Sequence, residues 1–182
     1  MPIKPNKRLA GSQVFLSVPT PDDMDEFLKL VQKSYALHHP WVSPPFTQTN
    51  YEDYLERIQR DSHQGFLIKQ NKTHQMIGVI NINEIVRGCF QSGYLGFYAF
   101  LGSNNHGLMG EALGLVLTYS FNDLDLHRLE ANIQPDNLKS IAFIKKHHFK
   151  HEGFSPNYLK INGEWKDHDR FAITLENYNK KI

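Results

Sequence analysis

The chain has 182 residues, enough for one full domain and short for two. Hydrophobic residues make up 40% and charged residues 21%, and the formal net charge is +1, so no basic excess points to a protein held on nucleic acid by phosphate neutralisation. A single cysteine, Cys89, excludes an intrachain disulfide and fits a reducing compartment, and no window approaches the ~20 apolar residues of a membrane span, so the expected location is the cytoplasm.

The first ten residues carry Pro2, Pro5, Lys4, Lys7 and Arg8 and read as a flexible arm, with one domain over 11–182. Val14 to Val18 is a first strand. Thr20-Pro21-Asp22-Asp23 then starts a helix: a capping threonine, proline at the first helical position and acids at the positive end. Met24, Phe27, Leu28 and Val31 give it one apolar stripe. His38 to Gln48 holds Pro40, Pro44 and Pro45 and is a loop. Thr49-Asn50-Tyr51-Glu52 reads as a capping box for a second helix bearing Tyr51, Tyr54, Leu55 and Ile58.

Strands follow at 66–70, 76–85 and 94–101, separated by the turn at Asn71 to His74 and the break at Arg87-Gly88. After the polar loop Gly102 to His106, a helix over 107–122 is apolar on most sides, the pattern of a helix buried against a sheet. Leu129, Ala131 and Ile133 alternate with polar residues in a strand over 127–134. Helix 138–148 and strands 149–158 and 168–175 complete the order βααβββαβαββ, an α/β domain.

The unit of strand, polar glycine-containing loop and buried helix carries the chemistry. A helix N-terminus has unpaired N–H groups and a partial positive charge that favour a phosphate, and Gly107 lacks the Cβ that would block the approach. The loop has neither the Lys-Ser/Thr of a P-loop nor the three glycines of a dinucleotide fingerprint. It resembles the cofactor motif of the GNAT acetyltransferases, Gln/Arg-x-x-Gly-x-Gly/Ala, with Asn104 and Met109 departing at the first and last positions.

Gly107-Leu108-Met109-x-Glu111-Ala112-Leu113 is similar to the variant found in ribosomal-protein alanine N-acetyltransferases. The same family's order and spacing recur in Val86-Arg87-Gly88-x-Phe90, His127-Arg128-x-x-Ala131-Asn132, Pro135-x-Asn137-x-x-Ser140, Phe149-x-x-Glu152-Gly153 and Tyr158 to His168.

That resemblance implies a GNAT fold: a mixed, mostly antiparallel sheet with a splayed parallel pair and flanking helices. It implies acetyl-CoA as cosubstrate and direct acetyl transfer to a primary amine without an acyl-enzyme. The expected acceptor is the N-terminal α-amine of a protein beginning with Ala or Ser, a ribosomal protein in the nearest branch. A small amine such as a polyamine or aminoglycoside is one alternative acceptor. A CoA-binding or ribosome-associated module with little catalysis is the other reading. By resemblance, the main chain of Tyr98, Ala99 and Phe100 pairs with the pantetheine arm. Asn105, His106, Gly107, Leu108 and Met109 present N–H groups to the pyrophosphate. Asn137 meets the pantetheine, and Ser140 lies near the thioester sulfur. For the catalytic base, Glu84 and then Glu130 are the candidates; Tyr158 or Ser140 is the candidate proton donor to sulfur.

His38, His39, His147, His148 and His151 lack a zinc-site spacing, so no metal is expected. Lys145 and Lys146 are expected on a solvated face or at the adenosine 3′-phosphate, and Trp41, Phe46 and Trp165 as walls of the acceptor entrance.

Overall fold

The computed structural model describes residues 9–103 and 107–180. Its centre is an eight-stranded sheet in the order β1-β2-β3-β4-β5-β6-β8-β7, antiparallel except for the β5–β6 pair. The strands are β1 (Leu9–Ala10), β2 (Val14–Ser17), β3 (Gln64–Gln70), β4 (Met76–Val86), β5 (Ser92–Ala99), β6 (Arg128–Ile133), β7 (Lys150–Ile161) and β8 (Glu164–Thr174). The helices are α1 (Met24–Lys33), α2 (Tyr35–His38), α3 (Gln48–Ile58), α4 (Leu108–Asn122), α5 (Leu138–Lys146) and α6 (Leu175–Asn179). No helix among the described residues is long and apolar enough to cross a membrane.

Two apolar layers hold the sheet. On one face α4 lays Leu113, Val116 and Leu117 against Ile80, Ile82, Leu129 and Ala131. On the other, α1 and α3 bring Phe27, Val31, Tyr51 and Tyr54 onto Leu67, Val79 and Phe100, with the Phe27 ring 4.8 Å from Tyr51 and 5.7 Å from Phe100. Burying such a side chain contributes roughly 1.5–3 kcal/mol, so both layers matter to stability.

Several boundaries differ from expectation. Leu9 and Ala10 are not part of a free arm: they pair with Leu16 and Phe15 as β1. The turn after them is tied to α4, whose Glu111 carboxylate accepts from the Gln13 N–H at 2.9 Å and the Ser12 hydroxyl at 3.1 Å. Helix α3 begins before Thr49, because Thr47 Oγ1 takes the Asn50 N–H at 3.2 Å and caps the helix two residues earlier. Strands β7 and β8 form one long hairpin across Asn162-Gly163; register shifts at His151/Gly153 and Ser155/Leu159 absorb Pro156, which an edge strand tolerates.

Candidate active site

The parallel pair explains where a ligand fits. Strands β5 and β6 pair at Ser92↔Arg128, Gly93↔Leu129 and Tyr94↔Glu130 and no further, although β5 runs on to Ala99 and β6 to Ile133. Beyond Tyr94 the strands diverge, leaving an internal sheet edge. A cavity of about 980 Å³ opens there, lined among others by Phe97, Tyr98, Ala99, Gly107, Met109, Asn137 and Ser140.

Parity along β5 decides which main-chain groups face the cavity. The Phe100 N–H donates to Ile77 O at 2.7 Å, on the β4 side. Main-chain groups alternate along a strand, so those of Tyr98 also face β4, while those of Leu95, Phe97 and Ala99 face the gap. The close approach of Tyr98 O to Gly78, 2.5 Å from where a Cβ would stand, agrees. This corrects the expectation for Tyr98, whose main chain is committed to β4, and for Phe100, whose N–H is bound to Ile77 and whose carbonyl accepts from the Ser103 N–H at 3.2 Å. The main chain of Ala99 faces the gap, as does that of Phe97, a residue that the sequence did not single out. Both corrected side chains pack toward α1 and α3: Phe100 is buried there, and the Tyr98 hydroxyl is buried without a partner among the described residues.

At the mouth of the cavity, α4 starts from Gly107 with φ 73° and ψ 1°, a left-handed conformation, and among the described residues beyond its chain neighbours nothing lies within 4 Å of the position a Cβ would take. A helix start leaves its first N–H groups without intrahelical partners, and here residues 107–110 line the cavity, a fit for a phosphate. Asn105 and His106, like Asn104, lie outside the described residues. Leu108 is buried in the core below, while Met109 reaches sideways: its sulfur lies 2.9 Å from where a Cβ on Gly78 would be. The large residue at that loop position is therefore matched by a missing side chain on β4.

Across the cavity Asn137 caps α5, its Oδ1 accepting the Ser140 N–H at 3.3 Å, and both residues line the gap. The Asn137 side-chain nitrogen is the part left for a ligand. Lys146 lines the cavity, whereas the Lys145 ammonium sits over the Phe171 ring at 5.9 Å. Loop 39–47 bridges the two halves of the sheet. Gln134 Nε2 donates to Trp41 O at 3.3 Å, Asn162 Nδ2 to Pro40 O at 3.4 Å, and the Ser43 hydroxyl to Asn162 Oδ1. Trp41 lines this cavity, while Phe46 and Trp165 are exposed.

On the face away from α4, polar groups collect where the parallel pairing ends. Glu130 is buried and its Oε1 accepts from Arg128 Nε at 2.9 Å; Arg128 also holds Glu152, NH1 to Oε1 at 3.0 Å. Bonding to Glu152 first, and to Glu130 next, outweighs burial and keeps the guanidinium charged; the same Arg128 holds the Glu152 carboxyl below its ordinary range. Burial, the Glu130 carboxylate and the Tyr158 hydroxyl together push the Tyr94 phenol up. His168 is buried with its ring 6.1 Å from Tyr158. The structure therefore brings Glu130 and Tyr158 together. It does not bring Glu84, which lies on a β4 bulge with φ 48°, 69% exposed, its Oε1 3.6 Å from His63 Nε2. No group of three or more His, Cys, Asp or Glu among the described residues is arranged to hold a metal ion.

Among the described residues three histidines are buried, His38, His63 and His168, and burial lowers the pKa of each. A depressed folded-state pKa keeps the ring neutral while the unfolded chain, near its ordinary ~6.5, takes up a proton. Stability is therefore present above about pH 6.5 and is lost as pH falls toward the folded value, by up to about 1.4 kcal/mol per pH unit for each ring that stays neutral. Thermal melts between pH 7 and pH 5 are expected to show a falling Tm before carboxylates titrate; a flat Tm over that window contradicts the assignment.

A sheet splayed at its parallel pair, with a left-handed glycine opening a buried helix at the gap, defines an acyl-transfer fold, and the chain belongs to the acetyltransferase (GNAT) domain family, which it matches over residues 13–150. It is an N-acetyltransferase of that family, whose acetyl donor is acetyl-CoA. It is 37% identical over 121 residues to a probable N-acetyltransferase, YjcK, of Bacillus subtilis, the match covering 66% of this chain and 67% of that one. It is 36% identical over 104 residues to the [ribosomal protein uS5]-alanine N-acetyltransferase of Escherichia coli, covering 57% of this chain and about half, 54%, of that relative. In structure it is similar to Mycobacterium smegmatis RimJ in complex with CoA-disulfide, with a TM-score of 0.81, 23% identity and coverage of 90% of this chain and 82% of that one.

Proposed function

We propose that this enzyme acetylates the N-terminal α-amine of a polypeptide beginning with Ala or Ser, a ribosomal protein being the expected acceptor. The splay of β5 from β6 beyond Tyr94, facing the Gly107 turn, carries the cosubstrate half of this reading. The identity to the uS5-alanine enzyme supports the acceptor half.

In this scheme acetyl-CoA supplies an activated thioester, and the chain orients it. The Phe97 and Ala99 N–H groups hold the pantetheine arm, and the unpaired N–H groups at the start of α4 take the pyrophosphate. A main-chain N–H aimed at the thioester carbonyl polarises it, an effect worth up to ~3–4 kcal/mol in other enzymes. An α-amine with a pKa near ~8 is partly neutral at physiological pH, so the protein needs to accept only one proton. Glu130, at the apex of the splay beside Tyr94, is the acceptor of that proton, directly or through water. Tyr158 returns a proton to the departing sulfur, with Ser140 the second candidate on the cavity side.

The test is CoA release on peptides starting with Ala or Ser, set beside spermidine and an aminoglycoside, with acetyl-CoA stabilisation of the fold measured in parallel. At a hundredfold excess over Kd, the cosubstrate is expected to stabilise the protein by about 2.7 kcal/mol. No thermal shift at millimolar acetyl-CoA would sink the reading. Turnover on the small amines and not on peptides would replace its acceptor half, and binding without turnover on any amine would replace catalysis.

A further inference from the structure

The chain leaving β5 is fixed from three directions just before it reaches the loop that precedes α4. The Phe100 N–H donates to Ile77 O at 2.7 Å. The Leu101 N–H donates to Ser34 Oγ at 2.8 Å, and that buried hydroxyl in turn donates to Leu30 O at 2.6 Å. The third tie is His38, whose Nε2 lies 2.9 Å from Ala99 O.

That third contact is different in kind. Ile77 belongs to the neighbouring strand, but Ala99 O points to the side where β6 has already swung away. His38, at the end of α2, supplies there the donor that a neighbouring strand would otherwise supply. The ring is 4% exposed, meets Tyr98 edge-on at 5.1 Å and leans on Phe100 at 6.3 Å. A carbonyl accepts, so the hydrogen sits on Nε2, and Nδ1 has no partner among the described residues. A neutral ring protonated on Nε2 satisfies this arrangement; a second proton on Nδ1 would be buried without an acceptor.

We propose that His38 is a positioning residue for acetyl transfer, setting the register of the pantetheine arm by occupying the Ala99 carbonyl. The proposal rests on the reading that the splay receives that arm. The N–H and C=O of Ala99 face the same gap, and an amide of the arm carries both a donor and an acceptor. With the carbonyl held by His38, an incoming amide meets Ala99 through its own oxygen, on the Ala99 N–H. Released from His38, the carbonyl competes for the arm's N–H and admits an offset arrangement, which moves the thioester away from the apex where Tyr94 and Glu130 face each other. A shift of about 1 Å at a reacting centre is enough to cost a large factor in rate.

Three substitutions test this. His38→Leu removes the donor, His38→Gln keeps an N–H at about the reach of Nε2, and His38→Asn places its amide nearer Nδ1. Acetyl-CoA affinity by calorimetry and steady-state kinetics with an Ala-starting peptide are measured well below each variant's melting temperature. The Leu and Asn variants are expected to raise KM for acetyl-CoA about tenfold and lower kcat by a similar factor, with KM for the peptide unchanged. The Gln variant is expected within about threefold of the parent in every constant. Should His38→Leu fail to fold, the Gln and Asn pair, both polar and differing in reach, decides alone. Gln behaving like Asn, or a folded Leu variant with the parent's KM and kcat, overturns the proposal. Failure of the unsubstituted protein to bind acetyl-CoA removes the reading beneath it, and calorimetry on that protein separates the two failures.

Discussion

Replacing Gly107 with asparagine is expected to weaken acetyl-CoA binding about ten- to a hundredfold while moving the melting temperature little. Two properties of Gly107 are separable. Its φ of 73° is left-handed, which costs an ordinary L-residue roughly 1–2 kcal/mol and asparagine less. Its missing Cβ leaves open space at the helix start, with nothing within 4 Å among the described residues beyond its chain neighbours. Asparagine keeps the backbone conformation, as Asn157 and Asn162 already do in this chain at φ 47° and 51°, but projects a side chain where the proposed reading puts the phosphates. Valine does both, adding backbone strain, and is expected to lower Tm as well as affinity. Calorimetric titration of both variants with acetyl-CoA and with free CoA reads the affinity, and thermal melts read the strain. If the Asn variant binds acetyl-CoA as tightly as the parent, the pyrophosphate is not at the start of α4.

The second large effect is expected at Glu130. Glu130→Gln should lower kcat by about a hundredfold or more, the range in which a general base contributes, with KM for acetyl-CoA unchanged. The fold should survive, because Arg128 retains Glu152 as a partner on its other nitrogens and no charge is left alone. Glu84→Gln is the control: its carboxyl is 69% exposed on a bulge beside His63, and its removal should leave kcat where it was. Single-turnover rates against pH for both variants distinguish a lost base from a lost contact. The reverse pattern, with Glu84 essential and Glu130 dispensable, would return the assignment to the first candidate.

The elements were legible where one period dominated. The apolar residues of α4 and the alternation in β6 each specify an element and the face it buries, and the glycine before α4 marked the end that opens on the cavity. Boundaries set by competition between equals were not legible. Thr47 and Thr49 are both capping residues, and what decides between them is the Asn50 N–H that Thr47 takes. The β7–β8 hairpin runs on beyond the expected ends at 158 and 168 because Leu159, Lys160 and Ile161 pair with Lys166, Trp165 and Glu164 right up to the turn, a fact about the pairing rather than the composition.

In the site, residue types were readable and parity was not. Whether Tyr98 or Ala99 faces the gap depends on which of them shares a side with Phe100 N–H, and the bond to Ile77 sets this. Glu84 and Glu130 are both single carboxylates on strands; the bulge after Asn83 turns one outward, while the other ends up at the last rung of the parallel pair. His38 was visible only as half of a His-His pair without metal spacing, and its contact with Ala99 joins positions 61 apart in the chain.

The narrow junction between β5 and β6 has a consequence for how this protein moves. Three rungs of parallel pairing join a five-stranded block, β1 to β5, to a three-stranded block, β6, β8 and β7. Besides those rungs the blocks are tied through α4, the His127 N–H to Gln91 O bond, the Phe97–Phe143 ring contact and the Asn162 and Gln134 contacts to loop 39–47, while each block is built from its own ladders. Such blocks behave as separate cooperative units in amide exchange, opening at different free energies. A ligand lying along Phe97 and Ala99 would act as a ninth strand, extending the seam between the blocks and slowing exchange on both sides at once.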